Sequence, residues 1–258
     1  MQQANKSDII RHTGVDSASS AAAGLNMRLH LQSRNLGRVI VIECRGRIVA
    51  GIEAQALQDH VKKAMPETPH IVLQMEEVDF IDSSGLGTLV RLMANARTAG
   101  GDIKLCAVPM AIATTLQMTN LHRVFDMHAS DSDAVAASYQ RRGQTADGTV
   151  HLEKRVLCFG ESADLLAYLA EVLRREGYHP VTSRNLRDAQ ILFKATRPRA
   201  VILAPLLQTA PPNRLADLCG AANPAVPVIV LDDDFSTREA GVAGSQFLER
   251  LRVLIPVD

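Results

Sequence analysis

The sequence lacks the cysteine and histidine spacing of a metal-binding protein. Its 258 residues include four cysteines, with no Cys-x-x-Cys pair and no histidine cluster beside them. Cys44, Cys106 and Cys158 lie inside strand-like apolar runs, and Cys219 is isolated. The sequence therefore predicts four reduced, packed thiols and no metal site built on cysteine.

An excess of one charge and a long apolar run are also missing. The 28 basic and 28 acidic residues balance, so no global field favours nucleic acid or an anionic membrane. Apolar runs such as residues 200–207 fall far short of the roughly 20 residues that a membrane helix needs. Residues 1–24 are rich in Ser, Ala and Gln and lack the apolar core of a signal peptide, which predicts a disordered tail on a cytoplasmic protein.

The most informative segment is the hexapeptide Asp-Ser-Ser-Gly-Leu-Gly at residues 82–87. A β-rich apolar stretch precedes it, bounded by the turn residues Pro69 and Asp79. After it, apolar residues recur at the spacing i, i+3, i+4, i+7 that lines one helical face, namely Leu86, Leu89, Val90 and Met93. The pattern predicts a strand, then a helix that begins near Ser84 and ends at Gly100-Gly101.

Two interpretations of this helix start remain open on motif chemistry alone. A helix N-terminus has unpaired N–H groups and the positive end of the helix dipole, so Ser84 could carry a phosphate there. Asp and Ser are also favoured N-caps, so Asp82, Ser83 or Ser84 could simply cap the helix. The neighbouring glycines are expected to keep the serine hydroxyl sterically open.

Two enzymatic interpretations are weaker. The run from Gly85 to Val90 looks like a dinucleotide-binding glycine loop, but Val90 replaces the third glycine and no acidic residue ends the next strand. A catalytic serine would need a base and an orienting acid, whereas His60, His70 and His122 are scattered singly and Gly-x-Ser-x-Gly is absent. We therefore expect neither catalysis nor a bound cofactor.

The second half of the chain repeats strands and helices after a polar linker at residues 141–152. Continuous apolar strands at residues 156–159, 200–203 and 228–231 are typical of a parallel sheet covered on both faces. The sequence predicts two α/β domains, at residues 25–140 and 153–258.

Residues 27–139 resemble a STAS domain. The features that match are Gly46-Arg47-Ile48, Leu57 and Val61, Ile71-Val72-Leu73, the hexapeptide, residues 100–105, Thr115-Leu116, and Leu121 with Val124-Phe125. The resemblance implies a mixed sheet with helices. In bacterial anti-sigma factor antagonists of this family the second serine of the hexapeptide is phosphorylated, which implies phosphorylation of Ser84 in preference to Ser83. It also implies partner contacts at Asp82, Ser83, Gly85 and Leu86.

One loop departs from the family pattern. Antagonists often carry an acidic residue in the early loop where this chain has Val49-Ala50-Gly51. This departure affects the partner contacts expected there.

From residue 153 onward the chain resembles a response-regulator receiver domain, chiefly at residues 173–178 and 198–203. The resemblance implies a flavodoxin-like parallel α/β sandwich without the receiver's chemistry. Gly160-Glu161 stands where two acidic residues are expected, Ala204 replaces the phosphoacceptor aspartate, and Asp232 replaces a hydroxyl residue. Glu161 and Asp232 remain weak candidates for a cation site, and the domain is expected to act as a docking or homodimerising module.

The two resemblances together imply an anti-sigma factor antagonist that works by partner switching. Unmodified Ser84 would allow binding to an anti-sigma factor with serine kinase activity, phosphorylation would release it, and a serine phosphatase would restore the hydroxyl. The alternative is a non-switching STAS scaffold in a signalling complex or beside a transporter. No residue identifies the sigma factor, the pathway or the input of the second domain.

Overall fold

The computed structural model describes residues 28–140, 154–204, 226–231 and 240–255. The expected tail at residues 1–24 and the linker at residues 141–152 lie outside the described residues, as do Cys219 and Asp232.

The first half contains a five-stranded mixed sheet. Its strands are β1 (His30–Leu36), β2 (Val39–Ile48), β3 (His70–Ile81), β4 (Asp102–Cys106) and β5 (Asp126–His128), in the order β1-β2-β3-β4-β5. β1 runs antiparallel to β2, whereas β2 to β5 are parallel to one another. The mixed sheet expected for this half is confirmed.

Asp79 does not bound the third strand as a turn residue, contrary to the sequence expectation, although the apolar stretch does run to Ile81. It lies inside β3, where the pairing with β2 shifts register between Gly46 and Arg47, so that Val78 and Phe80 pair with consecutive residues. An extra residue in one strand of a pair is a β-bulge, and Asp79 is the extra residue here. Asp79, a residue type common in turns, lies in this bulge, and the strand continues to Ile81.

Four α-helices accompany the sheet: α1 (Ile52–Ala64), α2 (Ser83–Thr98), α3 (Met110–Met118) and α4 (Asp131–Gln140). Because strand side chains alternate between faces, Ile40 and Ile42 of β2 pack in one apolar cluster with α1, α2 and α3. Val39 and Val41 belong to a different cluster that includes α4. The helices therefore cover both faces of the sheet.

The second half contains a four-stranded parallel sheet, as expected. Its strands are β6 (Arg155–Phe159), β7 (His179–Ser183), β8 (Ala200–Leu203) and β9 (Val228–Val230), in the order β7-β6-β8-β9. Helices α5 (Ala163–Arg175) and α7 (Ala240–Leu254) pack on one face of it, and α6 (Leu186–Thr196) packs on the other.

The two sheets share a continuous apolar layer. Helix α4 contacts β2, β3 and β4 on one side and α6 on the other. Tyr139 at the end of α4 is buried, and its hydroxyl donates a hydrogen bond to the Leu36 carbonyl at 2.9 Å. One cluster consequently joins both halves, with Val41, Val72 and Val135 from the first and Leu192 and Phe193 from the second.

Candidate functional site

The N-termini of α1, α2 and α3 lie at one edge of the first sheet. Strands β2, β3 and β4 are parallel, so their carboxyl ends share this edge and each is followed by the start of a helix. Ser83 and Ser84 are the first two residues of α2, and the side chains of both are exposed. The helix therefore begins where the periodicity predicted it.

Asp82 is the residue that caps α2. Its backbone is extended (φ −96°, ψ 178°), and its Oδ1 accepts a hydrogen bond from the Gly85 N–H at 2.7 Å. Its Oδ2 accepts from the Ala50 N–H at 2.9 Å, in the loop between β2 and α1. The hydrogen bonds from Ala50 and Gly85 lower the pKa of Asp82, because they favour the ionised carboxylate.

This cap confirms the capping interpretation for Asp82, whereas phosphorylation of Ser84 stays a prediction. With Asp82 as N-cap, the first turn does not need a serine hydroxyl. Within the described residues neither Ser83 nor Ser84 makes a side-chain hydrogen bond, and His60 instead bonds the hydroxyl of Ser33 at 2.6 Å. The hydroxyl of Ser84 is thus exposed and remains available for modification.

The two glycines of the hexapeptide have different roles. A Cβ on Gly85 would lie 2.2 Å from the Ile48 carbonyl oxygen, so Gly85 allows α2 to pack directly on the end of β2. A Cβ on Gly87 would meet no atom within 4 Å. Gly87 is therefore the glycine that fits the expectation of open space beside the serine hydroxyl, whereas Gly85 is needed for the packing of α2 on β2.

The residues that the resemblance assigns to partner contact divide by exposure. Ser83 is exposed and Asp82 is half-buried, while Gly85 and Leu86 are buried against the sheet. Leu86 is 7% exposed and belongs to the apolar core of the first half. Of these four residues, only Ser83 and Asp82 therefore present a surface to solvent at this edge. Partner contact by any of the four stays a prediction.

Sequence analysis missed three apolar side chains at or near this edge of the sheet. Ile52 opens α1 and is 79% exposed, and Met110 opens α3 and is 82% exposed. Phe80, near the end of β3, is 47% exposed and lies 5.0 Å from the guanidinium of Arg47. For Ile52 and Met110, the signal that could have revealed them is a large apolar residue at the first position of a predicted helix, because that position lies at the sheet edge and outside the core.

The loop at Val49-Ala50-Gly51 departs from the family pattern but has a clear structural role. Gly51 is the N-cap position of α1 with φ +101° and ψ −134°, a backbone conformation that favours glycine. Ala50 contributes its N–H to Asp82, and Val49 accepts a hydrogen bond from Ala54 at 3.1 Å. The loop therefore joins the starts of α1 and α2 through the Ala50 N–H and the Asp82 carboxylate.

In the second sheet, Ala204 follows β8 and is buried. A Cβ on Gly160 would lie 2.5 Å from the Cβ of Ala204, so the ends of β6 and β8 are in close contact. Glu161 is half-buried, and its carbonyl accepts from the Arg184 Nε at 3.1 Å. Its expected cation-binding partner Asp232 lies outside the described residues, so the weak cation site stays a prediction.

The described cysteines are packed thiols. Cys44, Cys106 and Cys158 are free and buried, and burial raises the pKa of each to about 12. They are therefore protonated at neutral pH, and the expectation of reduced thiols is confirmed for these three.

Across the described segments, no helix combines the length and apolarity that a bilayer crossing requires.

Comparison with known proteins relates residues 30–134 to a known family. The STAS domain family model matches residues 30–134. An anti-sigma F factor antagonist of Paenibacillus polymyxa is 21% identical over 112 residues, which are 42% of this chain and 94% of the relative. Residues 30–134 therefore form a STAS domain with anti-sigma factor antagonist relatives.

Solved structures also resemble this region. A crystal structure of an anti-sigma factor antagonist from Mycobacterium paratuberculosis is 22% identical, with a TM-score of 0.39, and the match covers 43% of this chain and 93% of that one. A structure of the murine anion transporter Solute Carrier 26 family member A9 is 15% identical, with a TM-score of 0.37, and the match covers 42% of this chain and 18% of the transporter.

Proposed function

We propose that this protein is an anti-sigma factor antagonist that switches partners through phosphorylation of Ser84. The observation that carries the proposal is the exposed Ser84 hydroxyl at the start of α2, next to a cap that Asp82 already supplies. The anti-sigma F factor antagonist relative of the STAS domain supports the same function. Sigma factors act in the cytoplasm of bacteria, where we place this chain.

In the unmodified state, the edge around Ser84 suits a protein partner. It combines exposed hydroxyls at Ser83 and Ser84 with the exposed apolar side chains of Ile52 and Met110. Apolar side chains interspersed with uncharged polar groups are typical of the buried centre of a protein interface. An anti-sigma factor with serine kinase activity would dock here and release its sigma factor.

Phosphorylation would break this complex without unfolding the domain. A helix N-terminus favours an anion by about 0.3–1 kcal/mol, so the fold tolerates phosphoserine at position 84. A phosphate carries about −1.5 to −2 charges, and a like unit charge about 5 Å away costs roughly 3 kcal/mol at an effective dielectric near 20. Solvent screening lowers this cost, but the repulsion at the partner surface still exceeds the stabilisation that the helix N-terminus gives the phosphate.

Asp82 makes the modified state still less compatible with an acidic partner. Its pKa is lowered by the hydrogen bonds from Ala50 and Gly85, so the carboxylate is charged at neutral pH beside the phosphate. The partner kinase supplies ATP and Mg²⁺, and a separate serine phosphatase removes the phosphate. In this scheme the chain itself catalyses nothing and needs no cofactor.

The second half is proposed to be a receiver-like domain that has lost its phosphoacceptor. Its strand order β7-β6-β8-β9 agrees with the first four positions of the flavodoxin-like order 2-1-3-4-5, with helices on both faces. Ala204 has no carboxylate and cannot form an acyl phosphate. We expect acetyl phosphate to leave this domain unlabelled, and a phosphoaspartate found by mass spectrometry would contradict this.

The partner switch is tested by measuring the binding of the kinase to three variants. Ser84→Ala should bind the kinase permanently, because it cannot be phosphorylated. Ser84→Asp should bind the kinase at least tenfold more weakly than Ser84→Ala and leave the sigma factor inhibited. Ser83→Ala is the matched control, because it removes the neighbouring exposed hydroxyl and should keep the response to ATP. Equal kinase affinity of Ser84→Ala and Ser84→Asp would contradict the proposal.

A second candidate function is a non-switching scaffold within a signalling complex or beside a transporter. The observation that favours it is the shared apolar layer between α4 and α6, which holds the two domains together as a unit. Size-exclusion chromatography with and without the kinase and ATP discriminates between the two. A scaffold would form the same complex in both conditions, whereas a switch would lose its partner when ATP is present.

A further inference from the structure

Helices α4 and α6 lie side by side and run in the same direction. At their starts, Asp131 of α4 and Asp188 of α6 both accept hydrogen bonds from the guanidinium of Arg34 in β1. At their ends, the guanidinium of Arg155 donates to the carbonyl of the last residue of α6 at 3.2 Å and lies 5.8 Å from the centre of the Tyr139 ring of α4. One arginine at each end therefore joins the two helices.

Charged side chains offset the dipoles of this parallel pair. Two helices that run in the same direction place like ends of their dipoles together, which is unfavourable without compensating charges. Asp131 and Asp188 stand in the first turns of α4 and α6. At the other end, Arg38 donates to two carbonyls in the last turn of α4 at 2.9 Å and 2.6 Å, and Arg155 bonds the end of α6. The charges consequently favour this direction of packing over the reverse.

Helix α6 is buried on more than one face. Seven of its 11 residues are buried, whereas a helix that packs on a single sheet buries one stripe. The residues Asp188, Ile191 and Ala195 recur at i, i+3, i+7 and so share a face, and Asp188 bonds Arg34 of the first half. Ile191 and Ala195 also belong to one apolar cluster with Val135 of α4. The sequence of α6 therefore provides one buried face for its own sheet and one for the first half.

Opposite charges alternate across the contact between the halves. Arg34 of the first half bonds Asp188, and Arg187 of the second half bonds Asp131 at 3.3 Å. Arg34 also bonds Glu43 at 3.0 Å and Asp131 at 2.9 Å. A partner packed in the reverse direction would leave these charges unpaired, at a cost that buried carboxylates make large. The pairing thus selects one orientation of docking.

The linker is longer than this contact requires. Residues 141–153 between the described segments could extend to about 45 Å. The side chains of Tyr139 and Arg155, on either side of the linker, nevertheless lie within 5.8 Å of each other. The linker therefore permits the docked arrangement but does not impose it.

We propose that this face of the first half is a docking site that binds the second half without the covalent link, in the single direction set by Arg34 and Arg155. The occupant is the second half of the chain, whose α6 carries both the apolar stripe and the acidic first turn that the face matches. The linker raises the local concentration of the two halves and does not create the contact. Helix α4 covers the opposite face of the sheet from α2, and no kinase enters the test, so failure here is distinguishable from failure of the partner switch.

A protease site inserted into the linker of the full chain tests this docking. The folded chain is cut at that site, and size-exclusion chromatography at about 1 μM protein follows the two pieces. We expect the pieces to elute together, because the apolar layer and the paired charges remain in place. Elution as two separate pieces would overturn the proposal, since the covalent link alone would then hold the halves together.

Charge reversals on α6 locate the contact, with the dissociation constant of the cut chain as the measurement. Arg187→Glu places a second carboxylate beside Asp131 and should weaken binding at least about tenfold, because like charges across an interface repel. Lys194→Glu is the matched control, since Lys194 is exposed on the same helix, and its binding should change by less than about twofold. Arg187 is 65% exposed, so its substitution does not disturb the core of the second half. Equal affinity of the two variants would contradict the direction of docking.

A second pair of variants separates docking from helix stability. Asp188→Lys and Asp164→Lys each remove an acidic residue from the first turn of a helix, so both lose the same kind of interaction with the dipole. Asp188 bonds Arg34, whereas Asp164 is exposed on α5, which packs on the other face of the second sheet. Only Asp188→Lys should release the two halves after cutting. Release in both variants, or in neither, would contradict the docking site.

Discussion

The carboxylate of Asp82 accepts a hydrogen bond from the backbone N–H of Ala50 at 2.9 Å, which joins the loop after β2 to the first turn of α2. The other oxygen of the same carboxylate caps α2 through Gly85 at 2.7 Å. One side chain therefore supplies the bonds that the helix start requires, and the exposed serines that follow have no structural task in the first turn.

Replacing Asp82 should destabilise the STAS domain. Asp82→Ala removes an N-cap, which costs about 0.5–2 kcal/mol, and also leaves the Ala50 N–H without its acceptor. Urea unfolding measures the free energy change. Asp59→Ala on the exposed side of α1 is the control and should change stability by less than about 0.5 kcal/mol. Equal stability of the two variants would show that the cap is not energetically important.

The contribution of Asp82 should also depend on pH. Its folded pKa lies below the usual 3.8, so its charge stabilises the fold above that value, and the stabilisation is lost as the pH falls through the folded pKa. The difference in the free energy of unfolding between the parent chain and Asp82→Asn should therefore shrink between about pH 5 and pH 2. A difference that stays constant or grows on acidification would contradict the assignment.

The two glycines of the hexapeptide should respond to alanine in opposite directions. Gly85→Ala places a methyl group against the Ile48 carbonyl and should destabilise the fold by about 1–3 kcal/mol. Gly87→Ala meets open space within α2 and should stabilise the helix by about 0.5–1 kcal/mol. Thermal unfolding of both variants checks the prediction, and the same sign of change in both would exclude it.

The interdomain contact should depend on Arg34. Its guanidinium bonds Glu43 at 3.0 Å, Asp131 at 2.9 Å and also Asp188 of α6, and the side chain is only 17% exposed. Arg34→Ala leaves three carboxylates without this partner and should destabilise the chain by about 1.5–3 kcal/mol in denaturant unfolding.

The control for Arg34 is Arg45→Ala. Arg45 also contacts Glu43, at 3.4 Å, but it is 47% exposed, so its loss should cost less than about 1 kcal/mol. If the two variants lose the same stability, the contact between β1 and α6 does not hold the domains together.

Local sequence signals predicted the elements of this fold and the serine at the start of α2. The apolar periodicity after Leu86 and the Gly100-Gly101 stop indicated α2, and continuous apolar runs indicated the parallel strands of the second sheet. The residue Ala204, which cannot form an acyl phosphate, was also evident in the sequence alone. Each of these features depends on residues that are close together in the sequence, so it can be predicted from the sequence alone.

Contacts between distant segments could not be predicted in this way. The bond from Ala50 to Asp82 spans two elements, and that from Arg34 to Asp188 crosses from the first half of the chain to the second. Asp79 resembled a turn residue, but the pairing of β2 with β3 places it in a bulge. The packing of α4 on α6 is likewise a long-range contact that no local pattern encodes.

The most direct test of the proposed switch is to map phosphate on the purified chain after incubation with its co-purified kinase and ATP. Mass spectrometry should find phosphate on Ser84 in the parent chain and in Ser83→Ala, and none in Ser84→Ala. Phosphate on Ser83 or elsewhere, with Ser84 unmodified, would contradict the account.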